Sequence, residues 1–259
     1  MKKNGSSDTF LDKRLKNLVQ EYDAYIPEDF KVWKILFERQ HKNLPGSASR
    51  FYLEGLKKIG FRADKIADFS DANQRLAETT GWKIVVVPGL IDDDLFFGLL
   101  SRKCFPTSTW LRRLNELDYL QEPDMFHDAF AHLPMLTDKS YTRFLQDLAG
   151  IAMRNIDNPL AIGLLSRVYW FTIEFGLIRE NGQVRVYGAG IISSSGETKF
   201  CLSDEPQHLD YNVEKILNTP YWKHKFQDRY FIVNSFEQLY QSIPEIEEKL
   251  AYLLEKSEK

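Results

Sequence analysis

The stretch LDYLQEPDMFHDAFAHLP, residues 117–134, carries the densest group of chemically informative side chains in the sequence. Pro123 is typical of a helix start, and Pro134 marks the point where that helix has ended. His127 and His132 lie between them, five positions apart. That spacing turns about 140° around a regular α-helix, so both imidazoles could reach one metal ion only where the helix bends or ends. The position of Pro134 is consistent with such an ending.

The spacing of the two histidines argues against a zinc hydrolase. Zinc metalloproteases place two histidines at positions i and i+4, with a glutamate directly after the first. Here the spacing is longer, and Asp128 follows the first histidine. On its own, the pair predicts either metal ligands or two hydrogen-bonded structural histidines, and both interpretations stay open at this point.

A carboxylate in a second apolar stretch, YWFTIEFGL at residues 169–177, is the third candidate ligand. Glu174 has bulky apolar neighbours on nearly every side, and a buried carboxylate needs a partner to stay charged. The alternative interpretation places Glu174 at the protein surface, on the polar side of an amphipathic helix. Two imidazoles and one carboxylate that leave coordination positions open are the ligand set of non-haem Fe(II) oxygenases. The open positions matter because dioxygen has to bind there.

Composition and charge argue against several classes of protein. The chain has 259 residues and a net charge of −3, and its Lys and Arg residues are scattered, so nucleic-acid binding is not expected. The two cysteines, Cys104 and Cys201, form no disulfide framework, which is typical of a reducing compartment. The sequence has no apolar signal core and no apolar run of about 18 residues, so it predicts a cytoplasmic protein without a membrane segment. Aromatic residues make up 14%, which fits either an aromatic core or a pocket for flat rings.

Hydrophobic periodicity predicts a mainly α (α+β) fold, in which a single catalytic domain of packed helices carries small β hairpins. Residues 1–20 are expected to form a flexible N-terminus and residues 21–259 the catalytic domain, since no repeat or low-complexity linker interrupts them. The predicted helices are Glu28–Leu44, Ser47–Gly60, Asp71–Thr80, Asp92–Leu100, one that starts at Pro123, Asp138–Arg154, Pro159–Ile178, one near Val213, and Phe236–Leu254. The predicted strands are Trp82–Val87, Gln183–Tyr187 and Tyr230–Val233.

Taken together, these motifs resemble those of the pterin-dependent aromatic amino acid hydroxylases, and most closely the short bacterial phenylalanine 4-monooxygenases. The matching segments are residues 117–124 leading into His127 and His132, residues 169–177, and YGAGIISS at residues 187–194. Weaker similarity extends from about Trp82 to Phe236, which is more than half of the chain. The resemblance implies the aromatic amino acid hydroxylase fold.

The resemblance also implies a reaction and its cofactors. It implies that His127, His132 and Glu174 ligate Fe(II), and that tetrahydrobiopterin or a related tetrahydropterin is the second cofactor. The expected activity is hydroxylation of L-phenylalanine to L-tyrosine with O2, in phenylalanine catabolism. The same chemistry on tryptophan or tyrosine is one alternative. A non-catalytic metal-binding or interaction protein on this fold is an alternative of another class.

Four residues are implied at the pterin. Phe96 is similar to the ring on which the pterin stacks, and Gly89 and Leu90 are similar to the backbone that hydrogen-bonds it. Asp128 is similar to an acidic position near the pterin. A flat heterocycle stacked on an aromatic face gains about 0.5–1.5 kcal/mol beyond burial.

A second set is implied at the amino acid substrate. Arg112 falls where the substrate carboxylate is held, and a guanidinium fork matches a carboxylate in a way that lysine cannot. Ser193 resembles a helper for the same carboxylate, and Pro123 and Trp170 resemble walls for the substrate ring. The remaining residues of the set are Tyr119 and Glu197, the latter similar to an acid behind the direct contacts.

Two residues depart from the family pattern. Ala131 stands where the family usually has glycine, and a methyl group is strained there only if the backbone needs a positive φ. Lys223, in the basic stretch YWKHKF at residues 221–226, takes the place of a small aliphatic residue beside the substrate ring. The sequence also lacks the N-terminal regulatory domain and the C-terminal tetramer helix of the long animal enzymes, so a monomer is expected.

Overall fold

The computed structural model describes residues 13–118, 120 and 122–257, which are mainly helical. The α-helices are α1 (Pro27–Asn43), α2 (Arg50–Ile59), α3 (Phe69–Thr79), α4 (Asp93–Leu100), α5 (Lys139–Arg154), α6 (Pro159–Tyr169), α7 (Ala189–Ile192), α8 (Ser195–Phe200), α9 (Val213–Leu217), α10 (Phe236–Gln241) and α11 (Ile243–Ser257). A first π-helix spans Phe126–His132, and a second spans Trp170–Glu174. The strands are β1 (Lys83–Val86), β2 (Cys104–Thr107), β3 (Leu177–Glu180), β4 (Gln183–Val186), β5 (Gln207–Asp210) and β6 (Arg229–Val233).

The strands form two small sheets beside the helices. β1 and β2 pair in parallel, with Lys83 opposite Cys104. The second sheet has the strand order β4-β3-β6-β5, in which β3 and β4 are antiparallel and the other two pairs are parallel. The prediction of β hairpins therefore holds for β3 and β4 alone among the described strands. β1 and β2 are parallel because α4 lies between them in sequence and returns the chain to the same end of the sheet.

Local sequence signals explain where several helices begin and end. Asp138 and Asn158 accept hydrogen bonds from backbone N–H groups in the first turns of α5 and α6, as N-cap side chains do. α2 ends at Gly60, whose φ of +74° is a left-handed conformation that favours glycine. Between these ends, α5 packs against α4, α6, α10 and α11, with Leu145 and Leu148 fully buried.

One large hydrophobic cluster joins the helices and includes apolar residues of both π-helices. Phe126 and Phe130 of the first π-helix stack at a centroid distance of 4.6 Å, and Trp33 of α1 meets Phe126 edge-on at 5.6 Å. Phe171 and Ile173 of the second π-helix are buried in the same cluster. The core thus fixes the apolar residues of both π-helices, and their polar residues are left to form the site.

The predicted helix Pro159–Ile178 is wrong at its C-terminal end. The regular α-helix stops at Tyr169 and continues as the second π-helix to Glu174. Leu177 and Ile178 belong to β3, where Leu177 lies between partners on β4 and β6. A run of apolar residues does not distinguish a buried helix from a buried strand, so periodicity alone misses this change.

Two further differences concern short elements. The predicted helix Phe236–Leu254 is divided at Ser242 into α10 and α11. β2 (CFPT) and β5 (QHLD) are not predicted from the sequence because neither has the repeated β-branched residues that mark β1 and β4.

Part of the predicted flexible N-terminus, residues 13–20, lies within the described chain, and residues 1–12 lie outside it. Leu15 is buried in a small cluster with residues of β1 and α4, and Arg14 pairs with Asp94 at 2.7 Å. These contacts fasten residues 14 and 15 to the domain, whose boundaries stay a prediction. None of the described helices combines the length and the apolarity that crossing a bilayer requires.

Candidate metal centre and active site

The first π-helix explains how two histidines five residues apart reach one point. In a π-helix the backbone hydrogen bonds join residues i and i+5, so these residues lie on the same face. The Nε2 atoms of His127 and His132 are accordingly 3.1 Å apart. The helix does not need to bend or end between them, which corrects the explanation based on Pro134. Wider helical winding within Phe126–His132 brings the two imidazoles together.

The second π-helix presents the carboxylate. Its wide turn is closed by the N–H of Phe175, which donates to the carbonyl of Trp170 at 2.8 Å. Glu174 Oε1 lies 3.2 Å from His132 Nε2, and Glu174 Oε2 lies 3.5 Å from His127 Nε2. One ligand atom from each of the three side chains falls within 4.8 Å of the others. The surface interpretation of Glu174 is therefore wrong, and the carboxylate faces the histidine pair.

The protonation states of His127 and Glu174 suit metal ligands. Burial lowers the pKa of His127 to about 4, so the imidazole is neutral at physiological pH. Burial acts to raise the pKa of Glu174, but His132, His127 and a hydrogen bond from Tyr169 outweigh it and lower the value to about 2. Neutral imidazoles and an ionised carboxylate are the forms that bind a metal ion.

A serine fixes the tautomer of the first histidine. The Oγ–H of Ser193 donates to the carbonyl of Ala189 at 2.9 Å, so Oγ is left to accept from Nδ1–H of His127, also at 2.9 Å. Nε2 of His127 then carries the lone pair that points toward Glu174 and His132. On the other side, the His132 ring lies against Phe105 at a centroid distance of 4.8 Å. The orientation of each ring is thus set by a neighbour outside the ligand group.

The group fits a divalent metal ion on the evidence of its charges. The described contacts of Glu174 are with His127, His132 and Tyr169, and none of these side chains carries a fixed positive charge. No lysine or arginine lies among these described partners, and a bound cation would compensate the charge of the buried carboxylate. Two imidazole nitrogens and one carboxylate would leave coordination positions open, which suits Fe(II).

A cavity of about 1250 Å³ opens over the three ligands. Every predicted site residue in the described part of the chain lines it. These residues are Gly89, Leu90, Phe96, Arg112, Pro123, His127, Asp128, His132, Trp170, Glu174, Ser193 and Glu197. Tyr119 lies outside the described residues. Because small-molecule sites commonly measure about 300–1,000 Å³, the cavity has room for two organic ligands side by side.

The predicted carboxylate-binding arginine is held by a residue that sequence reasoning missed. Nε of Arg112 donates to Oδ2 of Asp124 and Nη2 donates to Oδ1, both at 2.9 Å, and both side chains are buried. Guanidinium has five N–H donors, so three are not used by Asp124, and Arg112 lines the cavity. The signal was present in the sequence, because Asp124 follows Pro123 directly and precedes His127 by three residues.

The predicted pterin side of the cavity is connected to the metal ligands by Tyr169, a second residue that the sequence did not single out. Its ring meets Phe96 edge-on at a centroid distance of 5.3 Å, and its hydroxyl helps to lower the pKa of Glu174. Nearby, both the backbone N–H and the hydroxyl of Ser108 donate to Asp128 Oδ2 at 2.8 Å. Burial nevertheless raises the pKa of Asp128 to about 7.

The predicted wall for the substrate ring is fixed on two sides. The Trp170 indole stacks on Tyr221 at a centroid distance of 4.3 Å, and its Nε1–H donates to Gln227 Oε1 at 3.1 Å. Glu197, at 4% exposure, accepts hydrogen bonds from the Tyr230 hydroxyl and from the backbone N–H of Gln227. Burial raises the pKa of Glu197 to about 7.

The two departures from the family pattern have different consequences. Ala131 is fully buried in the first π-helix and is not among the described residues with a positive φ, so its methyl group introduces no backbone strain. Lys223 is exposed and lies on a turn at the rim of the cavity. The methyl group of Ala131 therefore fits within the first π-helix, and Lys223 places its side chain at the entrance of the cavity.

The chain is similar in sequence and in structure to known proteins. Residues 11–255 match the family described as biopterin-dependent aromatic amino acid hydroxylase. Phenylalanine-4-hydroxylase of Chromobacterium violaceum is 44% identical over 226 residues, which cover 86% of this chain and 75% of that protein. A crystal structure of the C. violaceum enzyme with bound oxidized Fe(III) has a TM-score of 0.89 at 41% identity and covers 94% of this chain and 88% of that chain. Another, with iron(III) and the oxidized cofactor 7,8-dihydrobiopterin, has a TM-score of 0.87 at 42% identity over 93% of this chain and 88% of that chain.

Proposed function

This chain belongs to the biopterin-dependent aromatic amino acid hydroxylases, and we propose that it is an iron(II)- and tetrahydropterin-dependent monooxygenase that converts L-phenylalanine and O2 to L-tyrosine. Phenylalanine is the proposed substrate because the 44%-identical relative is a phenylalanine-4-hydroxylase. The cofactors are proposed because structures of that relative contain iron and 7,8-dihydrobiopterin. The family and the fold predicted from the sequence are both confirmed.

One observation carries the proposal. Ligand atoms of His127, His132 and Glu174 converge within 4.8 Å beneath a cavity of about 1250 Å³ that also contains the buried Arg112. A hydrolase or a purely structural metal site does not need an arginine for a substrate carboxylate, such as Arg112, together with an aromatic ring for a flat cofactor, such as Phe96. The combination supports an oxygenase that binds an amino acid and a flat cofactor together.

Within this proposal the protein supplies position, and the cofactors supply the reaction with oxygen. His127, His132 and Glu174 would hold Fe(II), and Phe96, Gly89, Leu90 and Asp128 would hold the tetrahydropterin. Fe(II) and the pterin, when bound, supply the electrons and the binding site for dioxygen, which amino acid side chains cannot provide. The hydrogen bond between Ser193 and His127 keeps the lone pair of Nε2 directed at the ion.

The substrate would be held at both ends. The three remaining donors of Arg112 would bind its carboxylate, with the guanidinium plane fixed in advance by Asp124. Pro123 and Trp170 would enclose its ring, and Glu197 would stabilise the wall from behind through Gln227. Fixing both ends would hold the ring beside the ion, which would lower the entropic part of the barrier.

The remaining predictions belong to this proposal as well. We propose that the enzyme acts as a cytoplasmic monomer in phenylalanine catabolism, without nucleic-acid or membrane partners. Lys223 at the cavity rim keeps tryptophan and tyrosine as alternative substrates. The non-catalytic alternative loses one of its two supports, because Ala131 fits its position without a positive φ.

The deciding experiment is a tyrosine-forming assay with Fe(II) and tetrahydropterin present and then omitted in turn. Glu174→Ala should abolish both iron binding and tyrosine formation, because two imidazoles alone hold Fe(II) weakly. Glu248→Ala, which removes an exposed glutamate from α11, is the matched control and should keep full activity. Full activity of Glu174→Ala, or tyrosine formation without iron, would contradict the proposed metal site.

Substrate preference is tested separately by a panel of phenylalanine, tyrosine and tryptophan with product analysis. The proposal expects kcat/KM to be highest for phenylalanine. Higher kcat/KM for tryptophan or tyrosine would replace the proposed substrate and leave the metal site unchanged.

A further inference from the structure

Gln227 is a buried glutamine at the edge of the cavity whose amide hydrogen-bonds several parts of the site. Its Oε1 accepts from Nε1–H of Trp170 at 3.1 Å and from the backbone N–H of Trp222 at 3.3 Å. Its Nε2 donates to the carbonyls of Trp222 at 2.6 Å and Lys225 at 3.3 Å. Its backbone N–H donates to Glu197 Oε1 at 3.3 Å. With 2% of its surface exposed, the residue makes these bonds away from solvent.

The segment that Gln227 holds is the basic turn, residues 222–226, whose side chains are exposed at the mouth of the cavity. Within the turn, Lys225 Nζ lies over the Trp222 ring at 4.2 Å. At its other end, Phe226 packs on Phe200 of α8 at a centroid distance of 5.2 Å. Phe226 also lies so close to Gly196 that a Cβ there would approach its ring to 2.9 Å. The turn is thus compact and is seated on α8, the helix that carries Glu197.

The amide of Gln227 uses its whole hydrogen-bonding capacity. A side-chain amide has two lone pairs on oxygen and two N–H donors, and here all four are engaged. A buried polar group that is fully satisfied has one favoured orientation, because any rotation leaves donors or acceptors unpaired. Stacking on Tyr221 fixes the plane of the Trp170 indole but allows it to slide within that plane. The bond from Nε1–H to Gln227 stops that sliding.

We propose that Gln227 is a positioning residue that couples the basic turn to the wall against which the substrate ring lies. The inference rests on the proposed function, in which Trp170 is that wall. Displacement of the turn, by substrate entry or by mutation, would be passed through one amide to the Trp170 indole. Gln227 touches neither the metal ligands nor the proposed pterin residues through any contact described above, so its effect should be confined to the amino acid.

The first test is Gln227→Met, which keeps side-chain length and removes the amide. We expect KM for phenylalanine to rise about tenfold, because Trp170 loses its anchor and the carbonyls of Trp222 and Lys225 lose their donor. The fraction of pterin oxidation that yields tyrosine should fall, while KM for tetrahydropterin and iron per chain stay within about twofold of wild type. Gln146→Met is the matched control, since Gln146 donates to the carbonyl of Ser101 outside the cavity. An unchanged KM for phenylalanine, or a parallel rise in both KM values, would overturn the proposal.

A second variant, Trp170→Phe, isolates the bond between indole and amide because it keeps an aromatic ring and deletes Nε1–H. If Gln227 acts through this bond, Gln227→Met should raise KM less in the Trp170→Phe background than in wild type. Equal fold-changes in the two backgrounds would show that Gln227 does not act through Trp170. Trp170→Phe alone is expected to raise KM about threefold, because it both shortens the wall and removes the bond to Gln227.

A third readout does not depend on turnover. Lys223 and Lys225 make the basic turn a substrate for trypsin, so limited proteolysis followed by mass spectrometry reports how firmly the turn is held. Cleavage after these lysines should be about tenfold faster in Gln227→Met than in wild type or Gln146→Met. Equal rates would refute the anchoring. If wild type hydroxylated no aromatic amino acid, the proposed function would fail, and the proteolysis result would still decide whether Gln227 anchors the turn.

Discussion

Arg112 and Asp124 form a buried ion pair with two nearly parallel hydrogen bonds, Nε to Oδ2 and Nη2 to Oδ1, both at 2.9 Å. The same carboxylate accepts from the backbone N–H of Arg112 at 3.0 Å and of His127 at 3.1 Å. One aspartate therefore orients the guanidinium proposed to bind the substrate and also the first turn of the helix that carries two metal ligands. Substrate binding and metal binding, the two functions proposed for the cavity, therefore both depend on Asp124.

Replacing Asp124 should damage both stability and substrate binding. Asp124→Asn leaves Arg112 buried without its countercharge, and breaking a buried ion pair in this way costs about 3–5 kcal/mol. The free energy of unfolding in urea should fall by that order, and KM for the amino acid should rise. The matched control is Asp210→Asn, which removes the exposed partner of Arg179 and should change stability by less than about 1 kcal/mol. Equal losses in the free energy of unfolding for the two variants would show that the buried pair stabilises the protein no more than an exposed one.

Ser193 should tune metal affinity. It accepts from Nδ1–H of His127 while its own hydroxyl donates to Ala189, which selects the tautomer with a free Nε2. Removing such a partner commonly weakens metal binding about 10–100-fold, so Ser193→Ala should lose iron to a competing chelator at lower concentration. Ser203→Ala is the control, because Ser203 also donates to a carbonyl near a helix end but has no bond to a histidine. Unchanged iron affinity in Ser193→Ala would mean that the ring is oriented by packing alone.

Much of the fold could be predicted from the sequence because it rests on local patterns, and the three candidate ligands were named from the residues together with the family resemblance. Amphipathic periodicity marks α1, α2 and α5, and cap residues such as Asp138 fix their ends. The ligand residues stand out because a carboxylate such as Glu174 is rare among apolar neighbours. What the sequence could not provide was the way that His127 and His132 meet.

The missing information is nonlocal. A π-helix has no periodicity that distinguishes it from an α-helix over seven residues, so the convergence of the two histidines was explained by a helix end that is not needed. Asp124, Tyr169 and Gln227 contact Arg112, Phe96 and Trp170, which lie 12, 73 and 57 positions away in sequence. Single-sequence patterns do not report such contacts. Their contacts are visible only once the helices are packed together.

Ala131 should be better for stability than the glycine usual in the family. Its methyl group is fully buried, and its backbone has no positive φ that would favour glycine. Ala131→Gly adds backbone freedom to the unfolded chain and removes a buried methyl group, so we expect a loss of about 1–2 kcal/mol in the free energy of unfolding. Iron content should be unchanged. An increase in stability would show that the methyl group is strained in the first π-helix.

The contribution of Glu197 to stability should fall as pH rises, whereas that of an ordinary paired carboxylate rises with pH. Burial raises its pKa to about 7 in the folded protein, above the value of a glutamate in the unfolded chain. The folded state therefore binds more protons than the unfolded state between about pH 4.5 and about pH 7. In that window the contribution of Glu197 to the free energy of unfolding falls as pH rises, and above it the contribution stays constant. The neighbouring Tyr230 and Cys201 have pKa values raised further from neutral, so both stay uncharged over this range.

Glu197→Gln removes the titration and keeps an oxygen that can accept from Tyr230 and from the backbone of Gln227. Its stability relative to wild type should increase with pH from about 5 to about 8, by at most about 3 kcal/mol. Urea midpoints of both proteins at several pH values measure this difference, and subtraction cancels every other titrating group. Glu248→Gln, at an exposed position of α11, should show no such trend. A constant difference between Glu197→Gln and wild type across the range would mean that Glu197 is already ionised in the folded state. The folded protein loses stability with rising pH only if the carboxyl group still holds its proton at low pH and releases it within the range.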